Sequence, residues 1–313
     1  MRSRLLPVLV AAALPLTLGL AACGDDNGSG SDLSGTIKVD GSSTVGPLTE
    51  LAAEKFKEDN SGANVTVGIS GTGGGFEKFC AKEIDIADAS RPIDPKEEVP
   101  VCKKNGVAYD DVQVANDGIA IVVNPDNDWA KCLTTEQLKT IWDKGSKVKN
   151  WNQVNPKFPD QSLKLYGPGT DSGTFDFFTE QINGEKGQSR SDYSATEDDN
   201  VTVQGVSGDK GGLGYFGLSY AEENPDKVKI VPVDSGGGCI TPSTKTVQDK
   251  TYKPLSRELL IYPSVAALKR KEVDEFVKFY VDNAEAYAQQ AKFVPMTPTQ
   301  LTKAKATAQK IAG

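Results

Sequence analysis

Histidine is absent from all 313 residues. That absence removes Ser-His-Asp and Cys-His catalysis, histidine general bases and histidine-ligated metal sites. An excess of positive charge is missing too. Lys and Arg number 35 against 43 Asp and Glu, for a formal net charge of −8. A nucleic-acid binder carries a basic footprint, and none appears in the overall balance. There is no G-x-x-x-x-G-K-S/T phosphate loop, which argues against ATP use, and no G-x-S-x-G nucleophile elbow. Close C-x-x-C spacing is lacking, so no zinc site is expected among the cysteines. No repeat of solenoid length occurs. An acidic chain without histidine reads more readily as a binder than as a hydrolase.

What is present is ordinary globular material. Hydrophobic residues at 38% and charged residues at 25% suffice for a real core, and the length suits two domains. The N-terminus reads as an address. Arg2 and Arg4 precede an apolar stretch, Leu5 to Leu20, that is shorter than the roughly 20 residues of a membrane span. Leu20-Ala21-Ala22-Cys23 resembles a bacterial lipobox, with Cys23 as the lipidated first residue of the mature chain. The expectation is a signal peptide over 1–22, a lipidated Gly/Ser-rich tether over 23–34, and a soluble body held outside the cell membrane. Export favours disulfides. Four cysteines remain and can pair in three ways; the expected pairing is Cys80–Cys102, a local closure, with Cys132–Cys239.

From Thr36 onward a unit recurs: an apolar strand, a Gly/Ser/Thr turn, a helix. Strands are expected at Thr36–Asp40, Val65–Ser70, Ile84–Ala87, Leu163–Tyr166, Lys227–Val233 and Glu258–Tyr262. Helices are expected at Pro47–Lys57, Phe76–Lys82, Thr134–Trp142, Phe175–Ile182 and Val273–Ala288, where apolar residues recur at helical spacing. This alternation argues α/β with a largely parallel sheet. The long stretch Val112–Asn124 is interrupted by the polar Asn116-Asp117-Gly118, a candidate crossover between domains. The expected organisation is a discontinuous first lobe, 35–117 with 234–313, and a second lobe, 118–233. Gly212 to Gly217 matches G-x-G-x-x-G, but no strand precedes it, so dinucleotide binding is not expected.

The informative feature is three turns of one chemistry. Ser42-Ser43-Thr44, Gly71-Thr72-Gly73-Gly74-Gly75 and Ser172-Gly173-Thr174 each follow a strand and open a helix. Helix N-termini present free N–H groups and a positive partial charge, glycine allows close approach, and hydroxyls add donors. One such turn is most simply a helix cap; three suggest two lobes gripping one anion. Arg91, just past the strand ending at Ala87, can supply a two-pronged, charge-assisted contact. Asp88 and Asp171 are acids near these turns. A carboxylate there can accept a proton from hydrogen phosphate, which sulfate cannot offer.

With these residues in view the sequence resembles a known family. Asp40-Gly41-Ser42-Ser43-Thr44-Val45, Gly71 to Phe76, Asp88-Ala89-Ser90-Arg91-Pro92-Ile93 and Gly167 to Phe175 look like PstS-type phosphate-binding proteins, the receptors of bacterial phosphate ABC transporters. The resemblance implies a two-lobed, type II periplasmic-binding-protein fold, each lobe a mixed, mostly parallel sheet flanked by helices. It implies a monomer that binds inorganic phosphate between the lobes and delivers it to permease subunits, with no cofactor, metal, catalysis or nucleic acid. Carried over by motif, Ser43, Thr44, Ser90, Arg91, Ser172, Gly173 and Thr174 would contact the ion, with Gly73 and Gly74 as backbone donors. Some members place an arginine four residues before the Ser of Ser-Gly-Thr; here that residue is Pro168, which leaves Arg91 as the expected guanidinium. Asp171 is the expected proton acceptor and Asp88 the alternative. Rival readings are a lipoprotein phosphatase, an adhesion or signalling protein on the same fold, and a receptor for another oxyanion.

Overall fold

A computed structural model describes residues 33–312. The signal segment, Cys23 and most of the tether lie outside the described residues. Twelve strands are described. In chain order they are β1 (Gly35–Gly41), β2 (Ala63–Gly68), β3 (Ile86–Ala89), β4 (Val112–Val123), β5 (Leu133–Thr134), β6 (Lys164–Gly167), β7 (Ser194–Ala195), β8 (Gly212–Gly217), β9 (Lys229–Val231), β10 (Val233–Asp234), β11 (Cys239–Ile240) and β12 (Ser256–Pro263). The main sheet runs β2-β1-β3-β12-β4-β8-β6-β7, with β9 also paired to β4; β11-β10-β5 form a small second sheet.

Side-chain period sets the local choices. In β1, Ile37 and Val39 are buried while Thr36 and Lys38 are exposed, the alternation of a half-covered strand. In β4 nearly every residue is buried, as befits a strand covered on both faces. The break expected at Asn116-Asp117-Gly118 does not end the strand. β4 continues through it, pairing with β12 over Val112–Gly118 and with β8 and β9 over Ile119–Val123. Parallel pairing in the main sheet lies toward its ends, in β1 with β2 and β3 and in β6 with β7 and β8. Around β4 and β12 the pairing is antiparallel.

Two large apolar cores flank this crossing. One gathers Ile37, Leu48, Phe56, Val114, Leu259, Phe276 and Tyr280. The other gathers Ile119, Ile121, Trp142, Trp151, Phe178 and Tyr215. A smaller cluster holds Phe76, Phe79, Cys80, Cys102 and Tyr262. The strand near Val233 was expected to lead back to the first core, but β9 pairs with Ile121–Val123 and β10 with β5. Val247, Tyr252 and Leu255 still belong to the second core, and the Tyr252 hydroxyl donates to the Ile119 carbonyl at 2.9 Å. Leu259 and Ile261 of β12 belong to the first.

Six helices matter for the site: α1 (Gly46–Asp59), α2 (Gly71–Cys80), α3 (Glu98–Lys104), α4 (Thr135–Trp142), α5 (Trp151–Val154) and α6 (Gly173–Phe178). Thr134 caps α4 with a full capping box, which fixes its start. Two expectations change. The glycine run 71–75 is the first turn of α2 rather than a loop before it, because Gly75 packs against Gly41 so closely that a Cβ would meet its Cα at 2.6 Å. The helix expected over Phe175–Ile182 is α6 followed by a π-helical turn, Thr179–Asn183, closed by Gly184 at φ +91°. Disulfides join Cys80 to Cys102 and Cys132 to Cys239. Among the described residues no helix is long and apolar enough to cross a membrane.

Candidate functional site

The first turn is shaped from below. Gly41 sits at φ +146°, and a side chain there would run into the Asp88 carbonyl. The Ser42 N–H donates to that carbonyl at 2.9 Å. The buried Ser42 hydroxyl then accepts from the N–H groups of Thr44 and Val45, at 3.2 and 3.4 Å. Pro47 starts α1 at a position where no N–H is needed. The second turn hangs on Asp40, whose carboxylate accepts from the Ser70 N–H and hydroxyl, at 3.0 and 2.6 Å, and pairs with Lys78. Partial burial pushes the Asp40 pKa up, but the Lys78 and Ser70 hydrogen bonds outweigh it and hold the group below its ordinary value. In the third turn Ser172 caps α6. Gly173 faces the first turn directly: a Cβ there would collide with the Thr44 hydroxyl and lie 3.2 Å from that of Ser43.

The three turns open onto one cleft of about 490 Å³. Ser43, Thr44, Gly73, Ser90, Arg91 and Gly173 line it together, with Ser42, Gly71 and Thr72 beside them. Gly74, Asp171, Ser172 and Thr174 do not line it. Gly74 is turned toward Ser70, and the Ser172 hydroxyl is occupied by the N–H groups of Thr174 and Phe175. Asp171 is exposed. Asp88 is fully buried beneath the first turn, where its Oδ2 accepts from the Thr49 hydroxyl at 2.8 Å and its Oδ1 has no partner among the described residues. Burial pushes its pKa up to about 8, the Thr49 hydrogen bond opposes this, and the charges of Asp40 and Glu50 add to the rise. Neither aspartate proposed as a proton acceptor therefore lines the cleft. The acids that do are Asp176, Glu180 and Glu258.

Arg91 reaches the cleft but is engaged elsewhere, in a fork with Glu98 of α3. That hydrogen-bonded pair raises its pKa. A second arginine was missed by sequence reasoning. Arg257 on β12 lines the cleft floor, with its side chain 11% exposed. It sits directly opposite Asp117 of β4 across the ladder, and the two form an ion pair at 3.0 Å. Nη2 donates to the Thr44 hydroxyl at 2.9 Å and to the Gly173 carbonyl at 3.3 Å, so one guanidinium touches the first and third turns. The Phe177 ring lies 3.8 Å from the guanidinium carbon. Burial lowers the Arg257 pKa, and Asp117 opposes that shift. Two signals pointed to it in the sequence: a lone Arg entering an apolar strand, and a polar Asn-Asp-Gly break in another.

Two of the three lysines lining the cleft are also matched. Lys186 pairs with Asp176 and Lys250 with Glu258, each at 2.8 Å. The recognition chemistry on offer is thus N–H and O–H donors around guanidinium, which suits a compact oxyanion. Among the described residues no group of three or more Cys, Asp or Glu could hold a metal ion.

The family profile of the PBP superfamily domain matches residues 27–284. The chain belongs to the PBP superfamily. As a PBP-superfamily chain it is 48% identical over 271 residues to Protein SphX of Synechococcus elongatus, covering 86% of this chain and 80% of that one. It is 42% identical over 307 residues to the phosphate-binding protein PstS of Staphylococcus saprophyticus, covering 96% and 93%. The crystal structure of a possible phosphate binding protein from Planctomyces limnophilus superposes with a TM-score of 0.86 at 43% identity, over 90% of this chain and all of that one. Likeness over nearly the whole length places the chain among the PstS-type members of the superfamily.

Proposed function

We propose that the chain is an extracytoplasmic receptor that binds inorganic phosphate and delivers it to an ABC-transporter permease. The observation that carries this reading is the convergence of three donor-rich turns, drawn from residues 42–44, 71–73 and 173, on one cleft in a PstS-type chain. Ser43, Thr44, Gly73, Ser90 and Gly173 would touch the ion in the proposed site, and Ser172 and Thr174 support it by fixing the third turn. Arg91 stands at its edge.

The proposed receptor has two lobes. Two crossings between the cores lie on adjacent strands, one within β4 after Asp117 and another between Leu255 and Leu259, and Val294 from the C-terminal segment also packs into the second core. On this basis the first lobe is drawn as 35–117 with 256–313 and the second as 118–255. Phosphate entering the cleft exchanges water for fixed donors from both sides. An anion that contacts both walls binds the closed arrangement better than the open one, so it shifts the population toward closure. The permease would read that closed form. A lipid on Cys23 would keep the monomeric receptor beside the permease. The chain holds its ligand without transforming it, in keeping with relatives named as binding proteins.

Titration calorimetry on protein stripped of bound ion tests this. Saturable heat with phosphate, outcompeting sulfate and molybdate, is the expected result. No heat with phosphate would overturn it, and steady turnover of a phosphate ester would replace it with an enzyme.

A further inference from the structure

We propose that Arg257, rather than Arg91, is the guanidinium that holds the anion; this rests on the phosphate-receptor reading above. Three observations separate the two arginines. Arg91 has both terminal nitrogens committed to Glu98 and is 40% exposed at the cleft edge. Arg257 is nearly buried at the cleft floor. Its Nε and Nη2 are used within the protein, while Nη1 makes no hydrogen bond to any described residue.

The surroundings hold this guanidinium in a fixed plane. Asp117 grips it from the neighbouring strand, and Phe177 covers it. A buried charge is costly unless paired, and Asp117 provides that pair in the unliganded protein. Donation from Nη2 to Thr44 has a second effect. The threonine oxygen accepts from arginine, so its own proton is left to donate elsewhere, and Thr44 faces the cleft. Arg257 thus supplies one charged donor through Nη1 and sets a neutral one through Thr44. Because the same nitrogen also bonds the Gly173 carbonyl, the anion would meet the first and third turns already linked beneath it. A tetrahedral oxyanion bearing at least one full negative charge fits this arrangement.

The test is phosphate titration of wild type, R257Q, R257K and R91Q, with a thermal melt of each. R257Q is expected to lose about 100-fold in affinity and R257K about 10-fold, since lysine keeps the charge but not the planar fork. R91Q is expected to stay within about 3-fold of wild type. If R257Q does not fold because Asp117 is left unpaired, R257K decides the matter. Wild-type affinity in a folded R257K or R257Q, or a larger loss in R91Q than in R257K, overturns the assignment while the receptor reading stands. Absence of phosphate binding by wild type overturns the receptor reading itself.

Discussion

Both terminal nitrogens of Arg91 donate to the Glu98 carboxylate, at 2.9 and 2.8 Å. A forked arginine–carboxylate pair is among the stronger polar contacts a protein makes, and an incoming anion must compete with it. Glu98 also accepts from the Asp94 N–H at 2.7 Å, so its orientation is fixed from a second side. The E98Q variant removes the competing charge. Its phosphate affinity, read by calorimetry, is expected to rise by about 3-fold as Arg91 turns toward the cleft. A fall in affinity with the melting temperature unchanged would show that Glu98 presents Arg91 to the ligand instead.

Asp88 gives the protein a pH signature of its own. The folded state holds its proton up to about pH 8, whereas the unfolded chain loses it near 3.8. Its stabilising contribution is therefore complete below about pH 4, declines as pH rises toward 8, and is gone above that. The slope reaches about 1.4 kcal/mol per pH unit for one proton. The D88N variant is uncharged throughout, so its stability should be flatter across this range and should exceed that of wild type at pH 9. Parallel urea-unfolding midpoints for the two proteins from pH 5 to 9 would contradict this.

Gly173 is where the third turn touches the first. The G173A methyl group would occupy the space of the Thr44 hydroxyl, with Arg257 on the other side of that oxygen. Phosphate affinity is expected to fall by about 10-fold or more. The melting temperature should move far less, because the clash lies at the cleft rather than in a core. Binding equal to wild type would mean that the turns meet differently in solution.

The cleft's arginines and two of its lysines face internal acids. Little net charge is left to attract an anion from a distance, and the overall charge of −8 points the same way. Raising salt from about 20 to about 500 mM sodium chloride should therefore weaken phosphate binding by less than about 3-fold, since short-range hydrogen bonds inside a cleft are poorly screened. A loss of a hundredfold would show that long-range attraction dominates.

How much of this was legible in the sequence depended on the range of each interaction. The three turns could be read because a strand, a few small polar residues and a helix lie within about a dozen consecutive positions. The start of α2 could not, since glycines 71–75 suggest a loop until Gly41 is seen packed against them. Asp171 was misplaced by being inside a motif; proximity along the chain did not bring it into the cleft. Arg257 carried local signals but could not be joined to the site, because its partners are remote: Thr44 is 213 positions away and Asp117 is 140. The β4–β12 register sets Arg257 opposite Asp117, and the turn after β1 brings Thr44 to it.

β4 is one unbroken strand shared by both cores, hydrogen-bonded along its length to β12, β8 and β9. A cleft straddling such a strand has no slack linker on which to swing. Changing its width would mean flexing that ladder, which already carries an irregularity at Val114, where the β12 register shifts between Leu259 and Leu260. Any such flexing bears on the strand pair that sets Arg257 opposite Asp117, so the width of the cleft and the placement of its buried guanidinium are mechanically joined.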